Sequence, residues 1–147
     1  MIIQGVTNAF KTALLSGTVN FVTPGTDVYK LALYTGNATL NADTTAYTTT
    51  GEASGGNYVA GGQTLTITQA PTIGTQTGPQ AVAYISFQNV SWTGAITARG
   101  ALIYRDFGGG NTLPVAVLDF GSDKTSVNTF TVEFPAVTST AAILRIV

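Results

Sequence analysis

Thirteen side chains carry all the formal charge of this 147-residue chain, and any acid–base or ionic chemistry must begin with them. Seven are carboxylates: Asp27, Asp43, Glu52, Asp106, Asp119, Asp123 and Glu133. Six are cations: Lys11, Lys30, Arg99, Arg105, Lys124 and Arg145. Glycoside hydrolysis needs two carboxylates facing each other across a cleft, whereas these acids are spread over separate expected turns and strand ends. There is no histidine and no cysteine. Ser–His–Asp and Cys–His nucleophilic arrangements are therefore excluded, as are disulfides, iron–sulfur clusters and thiolate zinc sites. No Asp-x-Asp-x-Asp calcium loop occurs. Gly108-Gly109-Gly110 follows an expected strand, but it leads into Thr112-Leu113-Pro114 and another strand. It thus lacks the helix N-terminus that a phosphate-binding loop requires. The expectation is a protein that is not an enzyme and holds no metal or cofactor.

Two polar features remain. Asp119 sits in an expected strand, and Arg99 or Arg105 is its expected partner in a strand-edge ion pair. Tyr47 and Tyr58 lie in a long polar segment, and two readings stand for them. They anchor an interface or stack on sugar, or they pack that segment locally onto a sheet. A carbohydrate-binding reading would use Tyr47, Tyr58 or an exposed Trp92 as stacking platforms.

Only 9% of residues are charged, against about 25% in an average soluble domain. The surface is therefore expected to be built from Thr, Ser, Asn, Gln and Gly, which can be covered by a neighbour without desolvating charges. The formal net charge is −1 and no two basic residues are adjacent, so no nucleic-acid partner is expected. No run approaches the length of a membrane helix. The first residues, Met1-Ile2-Ile3-Gln4-Gly5-Val6, have no basic leader, so neither membrane nor export signal is expected. At 44% hydrophobic residues the chain can bury a core.

The elements that position these groups read almost entirely as β. One short helix is expected over 7–15, with Val6, Phe10, Ala13 and Leu14 on one face, Thr7 or Asn8 as its cap and Ser16-Gly17 as its stop. It either closes one end of the β core or docks as an arm onto a neighbouring subunit. Strands are expected over 28–34 (apolar on both faces), 63–68, 81–87 with 90–92 continuing past a bend, 101–104, 115–120, 129–134 and 142–147. Turn chemistry marks the gaps at Thr23-Pro24-Gly25-Thr26, Gly55-Gly56-Asn57, Gly61-Gly62, Gly74, Gly78-Pro79 and Gly121-Ser122-Asp123-Lys124, and 106–111 reads as a flexible hairpin connection. The polar, Thr-rich segment 36–62 is long enough to be functional or held by a partner. The expected fold is all-β: a single-domain β-sandwich or jelly-roll-like barrel over 1–147, with a short N-terminal helix.

Several segments together resemble a family of small virion structural proteins of tailed bacteriophages. They are Val6-Thr7-Asn8-Ala9-Phe10-Lys11, Tyr29-Lys30-Leu31-Ala32-Leu33-Tyr34-Thr35, Ala38-Thr39-Leu40, Thr44-Thr45-Ala46-Tyr47 and Gly56-Asn57-Tyr58-Val59-Ala60-Gly61-Gly62. They continue as Ile96-Thr97-Ala98-Arg99-Gly100-Ala101-Leu102-Ile103-Tyr104 and Val115-Ala116-Val117-Leu118-Asp119-Phe120-Gly121-Ser122-Asp123-Lys124. The resemblance implies a non-enzymatic component of the particle, made in the bacterial host cytoplasm and located in the virion. A head decoration (cement) protein is the first expectation, and a tail, neck or fibre component the alternative. The expected partners are the major capsid protein or other virion proteins and further copies of the chain. The expected contact residues are Ile2, Ile3, Phe10, Tyr47 and Tyr58.

Overall fold

The computed structural model describes residues 1–22, 27–74 and 81–147. The expected turns at 23–26 and at Gly78-Pro79 lie outside them. In chain order the elements are β1 (Gly5–Val6), α1 (Asn8–Leu15), β2 (Val28–Tyr34), β3 (Gln63–Thr64), β4 (Ile67–Gly74), β5 (Val82–Phe87), β6 (Val90–Thr93), β7 (Thr97–Gly108), β8 (Asn111–Thr125), β9 (Thr129–Val132) and β10 (Leu144–Ile146). The fold is all-β with one short N-terminal helix, as expected, in the sandwich form. A five-stranded antiparallel sheet runs in the order β1-β8-β7-β2-β3; a three-stranded sheet, β10-β5-β4, and a two-stranded one, β6-β9, accompany it.

Helix α1 begins where the sequence places it. Thr7 is extended and its hydroxyl accepts from the Phe10 amide at 3.1 Å, which satisfies one of the free amides of the first turn. The same hydroxyl donates to the Pro114 carbonyl at 2.6 Å, and the Thr7 amide donates to Val115 at 3.0 Å. One buried threonine thus both starts the helix and ties it to β8. Eight residues are too few to hold a helix alone, so the burial of Phe10 and Ala13 supplies what the local sequence does not.

The large sheet carries apolar side chains on both faces. Leu31, Ala32, Leu33 and Tyr34 are all fully buried, because successive residues of β2 point to opposite sides and both sides are covered. On one face Tyr29, Leu31, Leu33, Ala101, Ile103 and Val115 join Phe10 of the helix. Ile85, Phe87, Trp92, Phe130 and Leu144 of the smaller sheets complete that cluster. On the other face Ala32, Tyr34, Leu102, Tyr104 and Val117 lie under Ile2, Ala38, Leu40 and Tyr47. The segment 36–62 is therefore a strap that starts over the second face and then runs along the edge of β2, where Ala53 and Tyr58 pack into the first-face cluster. Ile2 and Leu40 form a parallel bridge, and Tyr34 pairs with Glu52.

Three expectations are corrected. The run 63–68 is not one strand. Gln63 and Thr64 pair with β2, the Leu65 amide still donates to the Tyr29 carbonyl at 2.7 Å, and from Ile67 the chain pairs with β5. A strand that changes sheets keeps its in–out alternation through the corner, so the sequence reads as unbroken. Residues 90–92 do not continue β5 in its own sheet; β6 pairs with β9 instead. Gly121-Ser122-Asp123-Lys124 is not a gap between strands. Between the pairs Gly100↔Asp119 and Ala98↔Lys124, β8 carries four residues opposite the single Arg99, so the turn-forming residues make a bulge and the strand runs on. The connection over 106–111 is tighter than expected. Gly108 pairs with Asn111, and Gly109 and Gly110 have φ of 62° and 84°, the positive values a two-residue hairpin turn requires.

Candidate functional site

The polar chemistry gathers on the strap side of the large sheet, around Glu52. Its Oε1 accepts from the Tyr58 hydroxyl at 2.6 Å and from the Gly61 amide at 2.7 Å. Its Oε2 accepts from the Tyr47 hydroxyl at 2.6 Å. The Tyr58 oxygen in turn accepts from the Leu33 amide at 2.9 Å, and the Ala53 amide donates to the Leu33 carbonyl at 2.8 Å. Both backbone groups of Leu33, beyond the stretch of β2 that β3 pairs, are thus satisfied by the strap. The Tyr104 hydroxyl donates to the Gly61 carbonyl at 2.8 Å and the Tyr34 hydroxyl to the Thr48 carbonyl at 2.6 Å. Four tyrosines and one carboxylate so fasten the strap to the sheet. Gly62 makes the close passage possible: with φ of 72°, a Cβ there would lie 1.8 Å from the Leu31 carbonyl oxygen.

The same geometry fixes the protonation states. Burial is the largest effect on every one of these phenols and raises each above its ordinary value. For Tyr47 and Tyr58 the hydrogen bond to Glu52 adds to it, and for Tyr34 the Glu52 charge does. Tyr104 is pushed up to about 12, by burial first and then by the charges of Asp106 and Glu52. Neutral phenols donating to a carboxylate hold chain together at neutral pH. Three of the roughly four acceptor positions of a carboxylate are occupied here by groups of the strap itself.

The remaining acids mostly have structural partners too. Arg105 Nη2 lies 2.6 Å from Asp27 Oδ1, and both side chains are nearly covered, at 14% and 7% exposure. The same guanidinium reaches the Thr18 carbonyl and sits over the Phe107 ring, 4.0 Å from its centre. Asp27 Oδ2 accepts from the Asn20 amide at 2.7 Å. Lys30 pairs with Asp106 at 2.8 Å, and the Lys30 bond together with the Gly108 amide lowers the Asp106 pKa. Arg99, not Arg105, pairs with Asp119, at 3.0 Å; that bond and the Gly121 amide lower the Asp119 pKa. Asp43 accepts from Asn8 at 2.8 Å. Among the described residues no group of three or more His, Cys, Asp or Glu is placed to hold a metal ion, and no helix is long and apolar enough to cross a membrane.

The five expected contact residues do not share one surface. Ile2 and Phe10 are buried, on opposite faces of the large sheet. Ile3 is 49% exposed. Tyr47 is half-buried with its ring stacked on Tyr104 at 4.9 Å, and Tyr58 is half-buried against Trp92 at 5.6 Å. Both tyrosines pack the strap locally. The exposed Trp92 of the sugar-stacking reading is corrected: the side chain is 2% exposed, walled in between β6–β9 and the large sheet. Glu52, the hub of the network, was missed as a candidate. A signal was present, since it is the only charged residue between Asp43 and Arg99. A lone charge in so long a neutral stretch marks a group whose partners must come from backbone and hydroxyls. The buried Asp27–Arg105 pair has no comparable signal, because its partners are far apart in sequence. No family model, curated protein or solved structure matches the chain.

Proposed function

We propose that the chain is a non-enzymatic structural protein of a tailed-bacteriophage particle, and within that class a decoration protein bound to the outside of the capsid. The observation that carries the reading is the use made of the reactive side chains. Five of the seven carboxylates, those of Asp27, Asp43, Glu52, Asp106 and Asp119, take hydrogen bonds or ion pairs that hold the chain to itself. What faces outward is largely uncharged and includes apolar side chains such as Val59, Ile73, Val127 and Ile146. Covering such a surface costs little charge desolvation, which suits repeated contacts with neighbouring subunits. The resemblance noted above supplies the setting. Its segments all fall in α1 with its flanking residues, the strap, and β2, β7 and β8 with the residues that border them.

The mechanism is mass action. A protein that binds only the assembled shell stabilises that shell, and many weak contacts repeated over a lattice add by multivalency. The partner is the major capsid protein, and copies of the chain associate with one another on the lattice. Quantitative mass spectrometry of purified particles tests this. A copy number on the order of hundreds supports decoration, whereas about a dozen or fewer places the chain in the neck, tail or fibre, where symmetry allows few copies. Absence from the particle overturns the virion reading. Particles lacking the protein should release DNA at a lower temperature than complete ones; equal robustness would sink the cement role.

A further inference from the structure

Helix α1 and the edge strand β10 leave an apolar groove between them. Its cavity volume is ≈ 440 Å³, and Val6, Phe10, Leu14, Phe21, Ile85 and Leu144 form its apolar lining. Lys11, Arg145 and the terminal Val147 also line it, and among the described residues no Asp or Glu side chain does. Neither cation has a carboxylate partner among the described residues: Lys11 Nζ donates to Asn8 Oδ1 at 3.3 Å and Arg145 Nη1 to the Thr140 carbonyl at 2.6 Å. Among the described residues strand β10 ends its sheet and pairs only with β5. Its other side therefore offers backbone groups to an added strand.

We propose that this groove docks an extended segment of a partner protein, with apolar residues at alternate positions and at least one carboxylate, added as a strand along β10. Each part of that description answers a feature of the groove. The free edge supplies main-chain hydrogen bonds, and the apolar lining takes alternate side chains of the added strand. The two cations, neither of them paired with a carboxylate among the described residues, select a segment that brings one. A second copy fits less well. Two-fold pairing centred on β10 sets Arg145 against Arg145, and like charges directly opposite in a sheet destabilise it. The chain's own segment of matching pattern, Thr129-Phe130-Thr131-Val132-Glu133-Phe134, is committed elsewhere, with Phe130 and Val132 buried in the core. The inference does not require the partner to be a capsid subunit, so it stands or falls separately from the function proposed above.

The test uses the full chain, isotope-labelled, titrated by NMR with two end-blocked peptides: Thr-Val-Glu-Val-Thr-Val and the same peptide with Lys in place of Glu. The acidic peptide should shift amide signals of residues 10–14, 83–85 and 144–146 and bind at least about tenfold more tightly than the basic one. Arg145→Glu, an exposed change, should reverse that preference. Equal binding of the two peptides, shifts centred elsewhere, or no binding at about 5 mM peptide would overturn the proposal. So would self-association that moves the β10 signals without peptide, which would assign the groove to a second copy.

Discussion

The two faces of the five-stranded sheet are covered in opposite ways. One face meets a helix, two small sheets and the Ala53–Tyr58 end of the strap, mainly through apolar side chains such as Leu31, Leu33, Ile103, Phe87, Phe130 and Leu144. The other meets a strap with no sheet of its own, whose apolar contribution is small, chiefly Ala38, Leu40 and one face of Tyr47, with Ile2 of the N-terminal segment beside them. Direct hydrogen bonds provide the rest, with Glu52 at their centre. Apolar burial needs no particular partner geometry, so the first face tolerates small adjustments. A hydrogen-bonded carboxylate does not: an unpaired buried acceptor or donor loses its full desolvation energy. The first face sets how stable the fold is, and the second sets where the strap lies.

The largest effect should come from breaking the dry face. Phe87→Ala removes a ring that contacts Phe21, Tyr29 and Phe134 and should destabilise the whole domain by about 3–5 kcal/mol. A lowered urea midpoint, with all probes moving together, would register it. Glu52→Gln keeps the side-chain shape but removes the charge that three donors share. It should cost about 1.5–3 kcal/mol, read in the same urea titration. High pH acts on the strap face as well. The folded pKa values of Tyr34, Tyr47, Tyr58 and Tyr104 are raised, so their stabilisation is full below the unfolded phenol value of about 10. It falls as pH climbs from there toward the folded values, by at most about 1.4 kcal/mol per pH unit for Tyr34 and for Tyr58 and by less for Tyr47, which solvent screens. Phenolate absorbance should therefore rise together with unfolding, not ahead of it. The smallest effect belongs to the half-buried Lys30–Asp106 pair. The lowered Asp106 pKa contributes stability above the unfolded carboxylate value of about 4, lost as pH drops through the lower folded value. Asp106→Asn should change thermal stability at neutral pH by no more than about 1 kcal/mol.

The dry face was the more legible of the two in the sequence. Period-two alternation in 129–134 places Phe130 and Val132 in the core, and the continuous apolar run of β2 signals cover on both sides. Helix α1 reads from its Thr7 cap and its apolar stripe. What covers the second face of β2 was not legible. Segment 36–62 has turn chemistry throughout and few strong apolar residues, so nothing local says that Ala38 and Leu40 are buried. Its position is fixed by contacts such as Tyr58 to Leu33 and Tyr104 to Gly61, which span long sequence separations and leave no periodicity. The change of sheet at Leu65 is hidden for the complementary reason: alternation persists while the partner changes.

Glu52 anchors the strap to a sheet whose apolar core holds without it. Native-state hydrogen exchange on Glu52→Gln separates the two regions. The amides of Leu33, Ala53 and Gly61 should lose protection by about tenfold or more, the factor that corresponds to about 1.4 kcal/mol, while those of Ile85, Phe87 and Phe130 change far less. Equal loss at both sets of amides, or no loss at the strap, would contradict it.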